Sequence, residues 1–263
     1  MGSATTQALA ATTTALGAAS GVDLDVAREL FAVARAVGDS SQLSGALADS
    51  AAPAEARRQV VAGVFGTAVK PTTASLLTTA VAQRWSSADD LVDGIEELAV
   101  RAAAVADPAS DVEAELFSFS RTVAGNAELE LALGSRLGDA AAKGALVESL
   151  LNGRASAATT LIAASLVRQP RERRVRQLLS RATRIVADQR NRAVATVVVA
   201  APLSAGQSER LTAALSKRYG TPVSLNTIVD PTVVGGLRVQ IADDVIDASV
   251  SSRLADLRQR LAG

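Results

Sequence analysis

The sequence predicts a mainly α protein, in which tandem N-terminal helical bundles are followed by a small α+β C-terminal domain. Apolar residues recur at helical spacing through residues 1–192, and several of these segments recur at a constant offset. Past this region a β-branched run and alternating segments predict strands. We therefore divide the chain into an N-terminal helical bundle at 1–106, a second, repeat-related helical module at 107–192, and a small α+β domain at 193–263.

Residues that cap or terminate helices separate the helices of the first bundle. The Ala- and Thr-rich segment Thr5–Ala19 is followed by Asp23, whose carboxylate can accept hydrogen bonds from the first turn of the next helix. Pro53 and Pro71 each open a helix, because the missing N–H of a proline costs nothing at the first helical position. Ser87, with acidic residues after it, starts the last helix of the bundle. The apolar faces carry Val26, Leu30, Val33, Val37, Leu43, Leu47, Val60, Val61, Val64, Phe65, Leu76, Leu77, Val81 and Trp85.

The second module opens at Asp107–Pro108, a predicted cap with a first-turn proline, and then repeats the first. Glu29-Leu30-Phe31 recurs as Glu115-Leu116-Phe117, at an offset of 86 residues. Further pairs at this offset are Leu43 with Leu129, Leu47 with Leu133, Pro53 with Asp139, Val60 with Leu146, and Val64 with Leu150. Ser75-Leu76-Leu77 matches Thr160-Leu161-Ile162 at an offset of 85. A nearly constant offset over several helices indicates an internal duplication.

The last domain combines strands and helices. Ala193–Ala200 predicts a strand, and Ser204 with Gln207 forms a capping box for a helix that ends before Gly220. Alternating residues predict further strands at Val223–Val229 and Leu237–Ile241. Turns are predicted at Asp230–Pro231 and at Asp243–Asp244, the second just before Val245–Ile246. A final helix carries Val250, Leu254, Leu257 and Leu261 on one stripe.

Composition argues against enzymatic function. The chain has no His and no Cys, so thiolate nucleophiles, Ser–His–Asp triads and conventional zinc sites are excluded. The carboxylate pairs Asp89–Asp90 and Glu96–Glu97 lie on helices, where adjacent residues point apart, and Asp243–Asp244 suits a turn. Gly235-Gly236 lacks the spacing and the lysine of a phosphate-binding loop. We expect no catalytic residue, no metal and no cofactor.

Charge and hydropathy bear on location and partners. Residues 1–167 carry 11 basic and 19 acidic side chains, whereas residues 168–263 carry 16 basic and 8 acidic ones. The two parts should therefore attract partners of different charge. No basic leader precedes an apolar run, and no apolar run reaches the length of a membrane helix. We expect a soluble intracellular protein that does not insert into a membrane.

The segment Asp230–Ser249 is the most specific feature of the sequence. It contains an acidic-Pro turn, Gly235-Gly236, an alternating strand, a turn, and Val-Ile-Asp-x-Ser before a basic final helix. This order resembles the C-terminal signature of the ATP synthase delta family, whose mitochondrial relative is the oligomycin-sensitivity-conferring protein. Paired glycines permit positive φ, and Asp247 or Ser249 can cap the last helix. We interpret the signature residues as structural: Asp230, Pro231, Gly235, Gly236, Asp247 and Ser249.

The resemblance implies a non-catalytic stator subunit of the F-type ATP synthase. In that family the N-terminal bundle binds the N-termini of the alpha subunits, and the C-terminal domain meets the b subunit of the peripheral stalk. It implies a peripheral location on the cytoplasmic face of the bacterial cell membrane. The family usually has one bundle, and we favour the first copy as the alpha-binding one. We expect partner contacts at Leu9, Leu16, Arg173, Arg176, Leu254 and Leu257.

An Arg-rich segment supports the alternative of a basic helical nucleic-acid-binding or scaffold protein. Nine arginines fall between Arg168 and Arg192, and a basic helix can bind phosphate backbones. Aromatic residues for base stacking are missing from this segment. We favour a solvated helix face as the explanation of the cluster, and next a surface that meets an acidic stalk helix. We expect no nucleic-acid partner.

Overall fold

The structure is a computed structural model that describes residues 2–135, 138–171, 173–233, 235–241 and 244–247. The chain divides into two compact units, Met1–Val186 and Ala187–Gly263. The first unit is helical and the second contains a sheet, which confirms the predicted fold class. None of the helices in the described ranges has the length and apolar content that a membrane span requires.

The helical unit has helices of two to five turns joined by short loops. They are α1 Ser3–Ala18, α2 Leu24–Gly38, α3 Ser41–Ala48, α4 Ala54–Phe65, α5 Pro71–Ala82, α6 Ala88–Ala106, α7 Val112–Ala124, α8 Ala127–Gly134, α9 Ala140–Leu151, α10 Ala157–Arg168 and α11 Val175–Gln189.

Most predicted helix starts are confirmed by cap geometry. The Asp23 carboxylate accepts from the N–H of Val26 at 3.0 Å, and the Ser87 hydroxyl accepts from that of Asp90 at 3.1 Å. Pro71 is the first residue of α5, and Pro53 lies one residue before α4 as its N-cap. The Asp23 and Ser87 side chains satisfy N–H groups that have no partner inside the helix.

The predicted start at Asp107–Pro108 is wrong. Helix α7 begins at Val112, and its N-cap is Asp111, whose carboxylate accepts from Ala114 N at 3.2 Å. Asp107 instead follows α6 and accepts a hydrogen bond from the Ser110 hydroxyl at 2.8 Å. The local rule failed because two Asp residues lie four positions apart and only the second precedes an unbroken helical segment.

The internal duplication extends to the helix boundaries. Helices α3, α4 and α5 recur as α8, α9 and α10, with both ends displaced by 86 residues. The match between Ser75-Leu76-Leu77 and Thr160-Leu161-Ile162, at an offset of 85, is therefore one residue out of register. At the offset of 86 that the helix ends give, Leu76 corresponds to Ile162, and both side chains are buried. Helix α11 continues the series, because Leu91 and Val92 of α6 correspond to Leu178 and Leu179 at an offset of 87, and all four are buried.

One apolar core runs through both helical modules. Helix α6 lies at its centre, in contact with α1, α2, α3, α5 and α10. Much of α6 is consequently buried, whereas α1, at the start of the unit, buries only Thr5, Ala8, Thr12 and Leu16. Burial on opposite sides makes α6 a shared element of the two modules.

The second unit is an α+β structure with strand order β2-β1-β3-β4. The strands are β1 Ala193–Val199, β2 Val223–Val229, β3 Leu237–Ile241 and β4 Asp244–Asp247, and α12 Ala205–Tyr219 connects β1 to β2. β1 pairs in parallel with β2 and antiparallel with β3, and β3 pairs antiparallel with β4.

Helix α12 has the predicted caps. Ser204 and Gln207 form the capping box, and Gly220 ends the helix at a φ of 69°. Buried residues on one face of the sheet, including Val197 and Val239, pack with Leu215 of this helix. The predicted final helix, with Leu254 and Leu257, lies outside the described residues.

Candidate interaction surfaces

The signature segment begins with a tight turn after β2. The Asp230 carboxylate accepts from the backbone N–H of Thr232 at 2.9 Å and from its hydroxyl at 2.7 Å. The N–H of Asp230 donates to Val199 O at 2.8 Å, which ties the turn to β1. Pro231 is exposed at the corner. This is the geometry of an Asx turn, in which the side chain replaces a backbone acceptor.

The remaining signature residues shape the β3–β4 pair. Gly235 and Gly236 have φ angles of 109° and 79°, which residues with a Cβ rarely adopt, so both glycines are needed there. Asp247 stands opposite Arg238 in the register and accepts from it at 3.1 Å. Its carboxylate thus has a cross-strand partner. Ser249 lies outside the described residues.

Helix α1 presents an uncharged outer surface. Leu9 is half-buried against the core, and Leu16 is 1% exposed, so Leu16 belongs to the core and we leave it out of the proposed contact surface. The exposed positions of α1 are small or polar: Ser3, Thr6, Gln7, Ala10, Thr14, Gly17 and Ala18. Thr5 anchors the helix by donating to Asp90 of α6 at 3.1 Å.

A cluster of opposite charges joins α6 to the start of α11. We call it the α6–α11 charge cluster; its members are Asp93, Glu96, Glu97, Arg171, Arg173 and Arg181. Arg173 pairs with Glu96 at 2.8 Å, and Arg171 pairs with Asp93. Arg181 lies 3.4 Å from both Asp93 and Glu97. The acidic face of α6 is therefore matched by basic residues near the end of the second module, between Arg171 and Arg181.

Burial sets the electrostatics of this cluster. It raises the pKa of Glu96, against the opposing effect of the Arg173 guanidinium. Burial likewise lowers the pKa of Arg171 to about 10, so this group stays cationic at neutral pH. Both groups lie where solvation of a charge is weak, and each depends on its partner because an unpaired buried charge is costly.

The internal pairs change the interpretation of the Arg-rich segment. Arg173 and Arg176 were expected at a partner surface, yet Arg173 belongs to the charge cluster and Arg176 pairs with Glu130 at 2.8 Å. Arg168 also pairs with Glu148, at 2.6 Å. A surface that binds phosphate backbones needs cations without such partners, so the nucleic-acid alternative loses much of its support. The cluster could have been foreseen from the opposite net charges of the two parts of the chain.

The described ranges contain no recognisable metal-binding or carboxylate-pair site. No group of three or more carboxylates there lies close enough to hold a metal ion. Glu96 and Glu97, an adjacent carboxylate pair in the sequence, bind different arginines.

Comparison with known proteins gives consistent matches. The profile of the ATP synthase delta (OSCP) subunit family matches residues 97–261. The ATP synthase subunit delta of Leifsonia xyli subsp. xyli is 50% identical over all of both chains, and that of Streptomyces avermitilis is 42% identical over 91% of this chain and 89% of its own. One chain of the cryo-EM structure of the Toxoplasma gondii mitochondrial ATP synthase hexamer aligns with 64% of this chain and 97% of its own, at 23% identity. Its TM-score of 0.38 is too low to support a structural argument.

Proposed function

We propose that this chain, which belongs to the ATP synthase delta (OSCP) subunit family and is a subunit of the F-type ATP synthase, is a non-catalytic connector in the stator. In this role it links the catalytic head to the b subunit of the peripheral stalk during proton-driven ATP synthesis. The observation that carries the proposal is the construction of the helical unit as one continuous core around α6.

A stator must resist the torque of the rotor without yielding between its parts. The α6–α11 charge cluster ties α6 to the segment after α10, and Gln169 donates to Asp39 at 2.7 Å across the two modules. Packed cores transmit strain because they deform little. These contacts support a rigid body that spans two partners.

We assign the alpha-subunit N-termini to the first helical module. Its outer helix α1 is exposed on one side, whereas α6, the helix that directly precedes the second module, is largely buried. A partner segment can therefore reach α1 but not the corresponding side of α6. The family profile covers the second module rather than the first, so this assignment requires a direct test.

The test uses a peptide with the N-terminal sequence of the alpha subunit and the full chain. We expect chemical shift changes at exposed α1 positions such as Gln7 and Thr14, and weaker binding after Thr14→Arg. Matched changes at Gln59, on the exposed side of α4, should leave binding unaltered. Shift changes confined to residues 107–192 would reverse the choice of module.

We assign the b subunit to the C-terminal unit. Deletion of residues 193–263 should release the b subunit while the helical unit stays folded, because the two units are separately compact. The measurement is co-purification of the b subunit with the truncated chain, with circular dichroism as the folding control. Normal retention of b would refute the assignment.

We propose a peripheral location on the cytoplasmic face of the cell membrane, as part of the assembled complex. The chain should then sediment with membranes that contain the synthase and remain soluble when the other subunits are absent. Sedimentation with lipid vesicles that lack the synthase would contradict this location.

A further inference from the structure

We propose that the outer face of α11 docks an acidic helix of another subunit of the complex. This face consists of Arg174, Arg176, Gln177, Ser180 and Arg184, which line a shallow groove of about 330 Å³. The inference rests on the proposed function, since it takes the partner from the assembled synthase.

The internal repeat shows which face of α6 corresponds to this face of α11. At the offset of 87 that relates α6 to α11, Asp93 and Glu97 correspond to Ser180 and Arg184. Asp93 and Glu97 both lie 3.4 Å from Arg181, so in α6 this face pairs with α11, the repeat copy of α6. In α11 the corresponding Ser180 and Arg184 are exposed. If the repeat of α6 and α11 continued, a further helix would pack on this face of α11. Open ends of repeat arrays are either capped by polar residues or bound by a partner.

The charge of the face selects the occupant. In α6 the face is acidic and binds arginines, whereas in α11 it carries arginines. Arg176 is balanced by Glu130 at 2.8 Å. Arg174 and Arg184 have no carboxylate within ion-pairing distance in the part of the chain that the structure describes. Complementarity therefore requires acidic residues on the incoming segment.

The dimensions of the face fit a helix. Arg174 and Arg184 are ten positions apart, which corresponds to roughly 15 Å along a helix axis. The face has an arginine at each end and the uncharged polar residues Gln177 and Ser180 between them. This arrangement matches a partner helix with carboxylates about three turns apart. Aromatic side chains, on which nucleic-acid bases would stack, do not line the groove.

Photo-crosslinking in the assembled synthase tests the proposal. Benzoylphenylalanine is introduced in place of Ser180, and in place of Gln59 as a control on the exposed side of α4. We expect the probe at position 180 to crosslink to a peptide of another subunit that carries Asp or Glu at helical spacing. Adding Arg174→Glu and Arg184→Glu should lower the crosslink yield by about tenfold or more, as should high salt, while the yield at position 59 should not respond.

The outcomes separate this inference from the proposed function. If the chain co-purifies with the synthase but position 180 gives no crosslink, or gives one to a non-acidic segment, lipid or nucleic acid, the docking surface is refuted and the stator role stands. If the chain does not co-purify with the synthase, both fail. Unchanged thermal unfolding of the charge-reversed variant establishes that a lost crosslink is not caused by misfolding.

Discussion

Glu29 and Glu115 lie 86 residues apart and make the same pair of hydrogen bonds in the two helical modules. Oε2 of Glu29 accepts from Lys70 N at 2.9 Å and from the Thr73 hydroxyl at 2.5 Å. Oε2 of Glu115 accepts from Ser156 N and the Thr159 hydroxyl at the same two distances. Each carboxylate thus caps the N-terminus of α5 or α10 from a neighbouring helix, where an anion is favoured by the helix dipole.

We expect Glu29→Gln and Glu115→Gln each to lower the free energy of unfolding by about 1–2 kcal/mol, since hydrogen bonds to a charged acceptor are stronger than neutral ones. The measurement is urea unfolding followed by circular dichroism. Glu128→Gln, at an exposed position of α8, is the matched control. The shared capping role would be wrong if either variant behaved like this control.

Position 94 must be glycine because the indole of Trp85 packs directly against its backbone. A Cβ at position 94 would lie 2.1 Å from Trp85 Cη2, and the indole is held by a hydrogen bond from its N–H to Ala80 O at 2.8 Å. We expect Gly94→Ala to destabilise the protein by about 1–3 kcal/mol through overpacking.

The matched control is Gly63→Ala in α4, where nothing lies within 4 Å of the added Cβ. It should stabilise the protein by up to about 1 kcal/mol, because alanine is the better helix former. Fluorescence of Trp85, the single tryptophan, reports the local change. Equal effects at the two glycines would show that the Trp85 contact is unimportant.

The α6–α11 charge cluster should contribute more than a surface ion pair. Glu97 is 7% exposed, and it accepts from Arg101 at 2.8 Å as well as lying 3.4 Å from Arg181. Glu97→Gln should cost about 2–4 kcal/mol because it leaves buried guanidinium groups without their anion. Glu55→Gln, which breaks an exposed pair with Arg58, should cost less than about 1 kcal/mol. Chemical denaturation of both variants measures the difference, and similar costs would contradict a buried role.

Acid stability should depend on Lys70. Its ammonium donates to Asp23 at 2.7 Å and to Asp25 at 3.1 Å, and these hydrogen bonds lower the pKa of both carboxyl groups. A lowered folded-state pKa contributes stability above the ordinary value of 3.8, and this contribution is lost as the pH falls through the lowered pKa.

We therefore expect the wild-type protein to lose more unfolding free energy than Lys70→Met between about pH 5 and about pH 2. All three groups are solvent-accessible, so the difference should be small and should shrink as salt is added. Urea titrations at a series of pH values measure it. Parallel pH profiles for the two proteins would exclude the proposed linkage.

Local rules were sufficient for most helix ends and for the Asp230–Pro231 turn of the second unit. Ser204, Gln207 and Gly220 occupy the positions that their side chains predict, because capping and positive φ depend only on neighbouring residues. The same rules failed at Asp107, where two caps competed within four residues. They also left the α5–α10 match one residue out of register, because identity between Ala-rich helices is a weak guide to alignment.

The sequence by itself determined the fold class, the 86-residue duplication and the family signature, because helix periodicity, turn chemistry and repeat offset are properties of the linear chain. Only the tertiary structure decided which charges remain available to partners. Arg173 and Arg184 look alike in the sequence, yet Arg173 pairs with Glu96 of α6 and Arg184 is exposed. The physical reason is that an ion pair depends on which helices pack together, and α6 meets the start of α11 from about 80 residues away.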